Sequence, residues 1–263
     1  MNSDDFNLQK AKTDFEIASI RGLVDEFPNI KLELCSFHQT KSFKEKLQSI
    51  YRIKLKKETL IKPENKQIAT AWCYLRSVPY MNWSSSTILQ DEFFKILENT
   101  LPDDNRKFEV TRYLKETYFD RNGQWSLFSY LNWNHFDSIL NGEFDTTTNS
   151  SESINSCYNR FCGGGFRSTN IVSANIREFK KKMLAKRGLI KQFGEKKMSK
   201  MKPKTLKRQA EIRRIVRAIS HMDIETEIAC MPQLLQDLGF ANTSEFTLNT
   251  IPDDYAYLTE LFE

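Results

Sequence analysis

Residues Ile30-Lys31-Leu32-Glu33-Leu34 alternate apolar and polar side chains without a break, the period of a short strand with one face buried. Just upstream, Ile17, Ile20 and Val24 recur at helical spacing and Phe27-Pro28 follows, which predicts a helix over residues 15–26. Residues 1–13 are polar. The stretch 7–12 is too polar for a buried central strand and reads as a frayed start. Beyond Cys35-Ser36-Phe37-His38, residues 42–55 are amphipathic and basic and read as helix.

Three further helical stripes fill residues 64–132. The first is Ile68, Ala69, Trp72 and Leu75. The second is Phe93, Phe94, Ile96 and Leu97. The third is Val110, Tyr113, Leu114, Thr117 and Tyr118. Pro79, Pro102 and Asn122-Gly123 separate them. A polar loop over 141–150 leads into a helix that carries Glu152. After a turn at Ser168-Thr169-Asn170, a basic helical pattern runs to about Ile219, interrupted near Gly188, Gly194 and Pro203. The C-terminal stretch holds one short amphipathic segment, Leu234, Leu235, Leu238 and Phe240.

These elements predict an α+β chain, mostly α: a small α/β core with a large helical insertion and a basic helical C-terminal region. The expected organisation is core over 1–40, helical insertion over 41–132, return of the core with Glu152 over 133–176, a basic segment over 177–219 and an acidic tail over 220–263.

Composition narrows the class. Apolar residues make up 40% of the 263 and aromatics 12%, enough to bury a core, so a folded rather than a globally disordered chain is expected. No apolar run approaches the roughly 20 residues that span a bilayer, so no membrane partner is expected. The first residues lack the basic and apolar regions of a signal peptide. Five scattered cysteines fit a reducing compartment better than a disulfide framework.

Charge changes the picture more. Residues 177–217 hold 17 Lys/Arg against three Asp/Glu, whereas His221 to Glu263 hold nine Asp/Glu and no Lys or Arg. A block this basic is suited to tracking phosphates, with Lys180, Lys181, Lys182, Lys186, Arg187, Lys207, Arg208, Arg213 and Arg214 as candidate DNA contacts. Only Phe179 and Phe193 interleave it, so base stacking is not indicated and binding is expected to be sequence-independent and salt-sensitive. The clusters 180–187 and 196–208 also read as a nuclear localisation signal, placing the protein in the nucleus. The plain alternative is a solvated basic helix balanced by an acidic tail.

An ordered set of short motifs points further. Asp14-Phe15-Glu16-Ile17-Ala18 is followed by Phe27-Pro28 and a strand, then by Cys35 and His38 in a CxxH spacing. After the helical insertion come Trp133-Asn134-His135-Phe136-Asp137 and then Thr147-Thr148-Asn149-Ser150-Ser151-Glu152-Ser153-Ile154-Asn155-Ser156. In this order, over about residues 12–185, they resemble the second and third acidic positions of a DDE transposase of the Mutator-like element (MULE) type. The resemblance implies an RNase H-like fold interrupted by helices, DNA strand cleavage and transfer with Mg²⁺ or Mn²⁺, and Asp14 and Glu152 as catalytic metal ligands. The implied partners are DNA and a homo-oligomer or full-length transposase.

The residues themselves are compatible with that chemistry. Two-metal phosphodiester transfer needs several carboxylates converging on two ions, and hard cations prefer carboxylate oxygen. Asp14 precedes a helix at a strand end, and Glu152 falls in the first turn of its helix with Ser150 or Ser151 as N-cap. A lone acid at a helix start is, by itself, more often a cap or dipole partner. The first acidic residue of the triad is missing: only 13 residues precede Asp14, and Asp4 and Asp5 are too close to it to stand on a separate strand. The expectation is a catalytically incomplete chain. A non-enzymatic DNA-binding or regulatory protein derived from a transposase is the alternative, and a subunit that takes its missing strand from a partner chain is a third. Cys35 and His38 are candidate zinc ligands. Structural zinc wants four, and no second CxxC, CxxH or HxxxH is present, so Cys157, Cys162 and His135 would have to approach in space to complete the set.

Overall fold

The computed structural model describes residues 9–56, 62, 65–84, 86–119, 127–143, 177–178, 181 and 203–242. It is mostly helical with one small sheet. Strand β1 (Lys10–Thr13) is followed by helix α1 (Ile17–Glu26) and strand β2 (Lys31–Leu34). The helices α2 (Ser36–Tyr51), α3 (Lys66–Ser77), α4 (Thr87–Thr100), α5 (Arg106–Thr117), α6 (Tyr130–Trp133) and α7 (Phe136–Leu140) come next, then α8 (Pro203–Ser220) and α9 (Ile224–Ala241). Residues 1–146 and 208–263 form one compact unit and 147–207 a second. Of the second, the described residues are 177–178, 181 and 203–207.

β1 and β2 pair in parallel, with Lys10 opposite Lys31 and Thr13 opposite Leu34. This corrects the expectation of a frayed start. β1 contains no large apolar residue, and electrostatics holds it in place: Lys10 and Lys12 share a face with Glu33 of β2, at 2.7 and 3.5 Å from its carboxylate. β2 departs from its pattern too. Leu32 and Leu34 are buried as expected, but so is Glu33, on the face that alternation assigns to solvent.

α2 starts at Ser36, earlier than its amphipathic pattern predicts. Its inward stripe is Gln39, Phe43, Leu47 and Tyr51, and the polar first member hides the opening turn. α3, α4 and α5 follow the predicted stripes. Ser86 caps α4, its Oγ accepting the Ile88 N–H at 3.0 Å, and Leu89, Phe93, Phe94 and Leu97 of that helix are buried. Together these helices enclose an aromatic core. Trp83 lies 5.2 Å from Phe93 and 5.3 Å from Phe119, and Phe119 lies 5.3 Å from Trp133, all in edge-to-face contacts.

α9 is a further departure. It occupies half of the expected acidic tail as an 18-residue helix, and Met231, Leu234, Leu235 and Leu238 are buried. Asp223 starts it by accepting the Thr226 N–H at 2.7 Å. It continues through Pro232, whose missing N–H costs an interior helix on the order of 3 kcal/mol; burial of the apolar stripe outweighs that. α9 packs on α3 so closely that a Cβ built at Gly239 would lie 2.1 Å from the Cys73 carbonyl oxygen. Its C-terminal end is tied down by Asn242, whose Nδ2 donates to the Arg76 carbonyl at 3.1 Å. Asn242 Oδ1 in turn accepts from Tyr80 Oη at 3.3 Å.

Candidate functional site

The C-terminal ends of the two strands lie side by side. The Cys35 N–H donates to the Thr13 carbonyl at 2.9 Å, which sets Asp14 beside the first turn of α2. Open α/β sheets place their functional residues at this end. Three features fix Asp14 there. β1 pairing positions its backbone. Its Oδ1 accepts the Glu16 N–H at 3.3 Å, closing a tight turn into α1. Phe15 anchors the turn to the helical insertion, with its ring 4.8 Å from Phe128 and 5.8 Å from Tyr118. Asp14 itself stays half-buried. The neighbouring acid, Glu16, bonds within its own turn, where Oε2 accepts from Ser19 Oγ at 2.8 Å.

One face of the sheet carries a buried polar cluster that the sequence pattern did not single out. Glu33 is 3% exposed. Its Oε1 accepts from Ser138 Oγ at 2.7 Å and pairs with Lys10 at 2.7 Å, while Lys12 approaches Oε2. Lys10 also pairs with Glu143. Burial alone would raise the Glu33 pKa. Hydrogen bonds from Lys10 and Ser138, with the charges of Lys10 and Lys12, outweigh it and hold the carboxyl at about 2. The available signal was the matched spacing of Lys10 and Lys12 with Lys31 and Glu33, two pairs at i, i+2.

His135 closes the other side. It is fully buried, and its Nε2–H donates to the Leu34 carbonyl at 2.9 Å. Nδ1 is then an acceptor, and it has no partner among the described residues. Burial pushes the imidazole down to about 4, against an opposing pull from Glu33, so the ring is neutral at physiological pH. Its neighbours complete a structural joint. Trp133 Nε1 donates to the Tyr118 and Phe128 carbonyls at 3.1 and 3.2 Å. Asn134 Nδ2 donates to Met81 at 2.8 Å, and the His135 N–H donates to Pro79 at 2.7 Å. The Trp-Asn-His stretch therefore ties α5, the turn after α3 and β2 together.

The remaining predicted residues are distributed as follows. Glu152 lies outside the described residues, as do Lys180, Lys182, Lys186 and Arg187. Cys35 is fully buried at the start of α2, and His38 is half-buried one turn on. Among the described residues no three His, Cys, Asp or Glu side chains are grouped so as to hold a metal ion, so Cys35 and His38 are not joined there by a third ligand, nor is Asp14 by two. Lys181 and Lys207 are exposed. Arg208 and Arg213 are half-buried against the α8 side that buries Ile212, Ile215, Val216 and Ile219. Arg214 and Arg217 face solvent, and Arg214 forks onto Glu211 of its own helix at 2.7 Å. No helix among the described residues is long and apolar enough to cross a membrane.

Compared with known protein families, with curated proteins and with solved structures, the chain matches none.

Proposed function

We propose that this chain is a transposon-derived DNA-binding protein: the part of a MULE-type DDE transposase that holds the second and third acidic positions, on a remnant of an RNase H-like core. The observation that carries this reading is the place of Asp14. It follows the C-terminal end of a parallel strand, inside a β1-α1-β2 unit, and the ordered motifs follow it along the chain. Divalent ions would be held by Asp14 and Glu152, whose hard oxygen donors suit Mg²⁺ or Mn²⁺. In DDE chemistry such ions activate the attacking oxygen and stabilise the leaving one. On this reading Asp14 and Glu152 are two of the three acidic positions, and two carboxylates alone are not expected to support strand cleavage.

Binding is carried by the basic segment from Arg177 to Arg217 through phosphate contacts. The same segment addresses the protein to the nucleus, which a fluorescent fusion carrying residues 177–219 would report. A non-enzymatic regulatory role is the second reading. It is favoured by the local bonds of Asp14 and Glu16, which close the turn into α1 and hold Ser19.

The test is binding of the purified protein to duplex DNA over a salt series, with a Mg²⁺-dependent nicking assay alongside. Sequence-independent affinity that falls steeply with salt, without nicking, is the expected result. Asp14→Ala and Glu152→Ala should leave that affinity unchanged, while Lys180→Glu, Lys181→Glu and Lys182→Glu together should lower it. Absence of binding at low salt would sink the DNA reading. Nicking by the chain alone would overturn the claim of incompleteness.

A further inference from the structure

The two edges of the sheet are treated differently. The β1–β2 ladder uses the peptide groups of Gln9 and Thr13, which accept from Lys31 and Cys35 at 2.9 Å each. The alternation of a parallel ladder then directs the N–H and C=O of Lys10 and Lys12 away from β2. On β2 the outward Leu34 carbonyl is capped by His135, and Leu32, Glu33 and Leu34 are all buried. On β1 nothing comparable happens among the described residues. Among the described residues the sheet has two strands, and the outward peptide groups of Lys10 and Lys12 have no backbone partner. All four residues of β1 remain partly exposed.

Open edges of this kind pair with further strands unless something blocks them, and parallel strands normally lie inside larger sheets. Charge decides what this edge accepts. Lys10, Lys12 and Lys31 bring three ammonium groups to the face, against the two carboxylates of Glu33 and Glu143. A second copy of β1 would bring lysines against lysines, which disfavours self-pairing. An incoming strand with carboxylates two residues apart would set them beside Lys10 and Lys12. The opposite face of β1 offers only Ala11 and Thr13, which leave room for apolar side chains.

We propose that the free edge of β1 is a docking site for an extended acidic segment of a partner protein, which adds to the sheet as a third strand with alternating apolar and acidic residues. The proposal rests on the edge geometry and its charge, independently of the transposase reading and of DNA binding.

The probe is a blocked synthetic heptapeptide alternating valine and glutamate, titrated into the full chain while the amides of residues 10–13 are followed by NMR and hydrogen exchange. The Lys10 and Lys12 amides should be unprotected in the free protein and become protected on binding, and a valine–lysine peptide should bind at least about tenfold more weakly. Lys12→Pro removes an outward N–H and keeps the ladder to β2. It should weaken binding about tenfold relative to Lys12→Ala, which retains the amide. Unchanged far-ultraviolet circular dichroism in both variants separates lost binding from lost fold. The proposal fails if neither amide responds at millimolar peptide, if the lysine peptide binds as well, or if Lys12→Pro binds as Lys12→Ala does. It also fails if sedimentation shows a dimer with these amides protected, or if they are protected in the free chain and exposed on deletion of residues 243–263. Those last two results would assign the edge to a second copy or to the protein's own C-terminal segment.

Discussion

Gly239→Ala should destabilise the protein, although the same change in most helices stabilises it. In an open helical site alanine gains roughly 1 kcal/mol over glycine from propensity alone. Gly239 is not open. The added Cβ would lie 2.1 Å from the Cys73 carbonyl oxygen, 2.7 Å from Cys73 Sγ and 2.8 Å from its carbonyl carbon. Two of the three are backbone atoms, so no rotamer change relieves the clash and α9 must back away from α3 by about 1 Å or more. A radial gap of 0.5–1 Å forfeits about a quarter to a half of the dispersion at each contact. The packing lost would be that of Met231, Leu234, Leu235 and Leu238, all buried along the same helix. Overpacking of a filled site costs about 1–3 kcal/mol and sometimes more; with rigid backbone in the way we expect a net loss near 3 kcal/mol. For a domain of this size that is a fall in Tm of roughly 6–12 °C. Gly22→Ala in α1 is the control, because a Cβ there meets nothing within 4 Å, and it should raise stability by about 0.5–1 kcal/mol. Urea and thermal unfolding of both variants read the contrast. If Gly239→Ala is neutral or stabilising, α9 does not pack on α3 as described.

Glu227 is 2% exposed with Oε1 unpartnered among the described residues, and burial raises its carboxyl to about 7. A raised acid favours the fold below its unfolded pKa and loses that contribution as pH rises from about 4.5 through 7. Glu227→Gln should therefore be more stable than wild type at pH 8, by up to about 3 kcal/mol, with the gain gone near pH 4.5 in denaturant titrations. His135 acts in the opposite sense. Its depressed pKa gives stability that is full above about 6.5 and lost as pH falls through 4. Wild type should be flat between pH 4.5 and 6.5, where the two slopes oppose, and Glu227→Gln should uncover the His135 limb. Glu33→Ala leaves the ammonium of Lys12 partly buried without its carboxylate, so a loss of about 3–5 kcal/mol is expected in urea unfolding. Arg214→Glu with Arg217→Glu should lower affinity for duplex DNA and reduce the slope of its salt dependence, with at most a small fall in Tm from the lost Arg214–Glu211 pair and the reversed charge in the last turn of α8.

The helical insertion was legible because its signal is local. Each stripe of α3, α4 and α5 recurs within one helix, and Pro79 and Pro102 punctuate them. β1 was not, because its reason for forming lies about 20 residues away: Lys10 and Lys12 gain a buried carboxylate only once Glu33 is paired beside them. α9 was half legible. Its leucines showed as one short amphipathic segment, but the helix starts ten residues earlier and runs through Pro232 because its apolar stripe is buried against α3. At the candidate site, the helix and strand that follow Asp14 could be read from their spacing, but the strand that leads into it could not, because β1 carries no large apolar residue. The buried joint made by Trp133, Asn134 and His135 could not, since each side chain bonds to a carbonyl on a different element. A motif match names those residues without saying that their work is structural.

The docking of α9 on α3 also sets an order of events during synthesis. The helical insertion is complete as a sequence by residue 143, but its groove on α3 is filled only when residues 224–241 have left the ribosome. At 5–20 residues per second, about 100 residues of delay leave that apolar groove open for roughly 5–20 s. The basic stretch from Arg177 to Arg217 is made during this interval, so it is available to polyanions before the compact unit has closed.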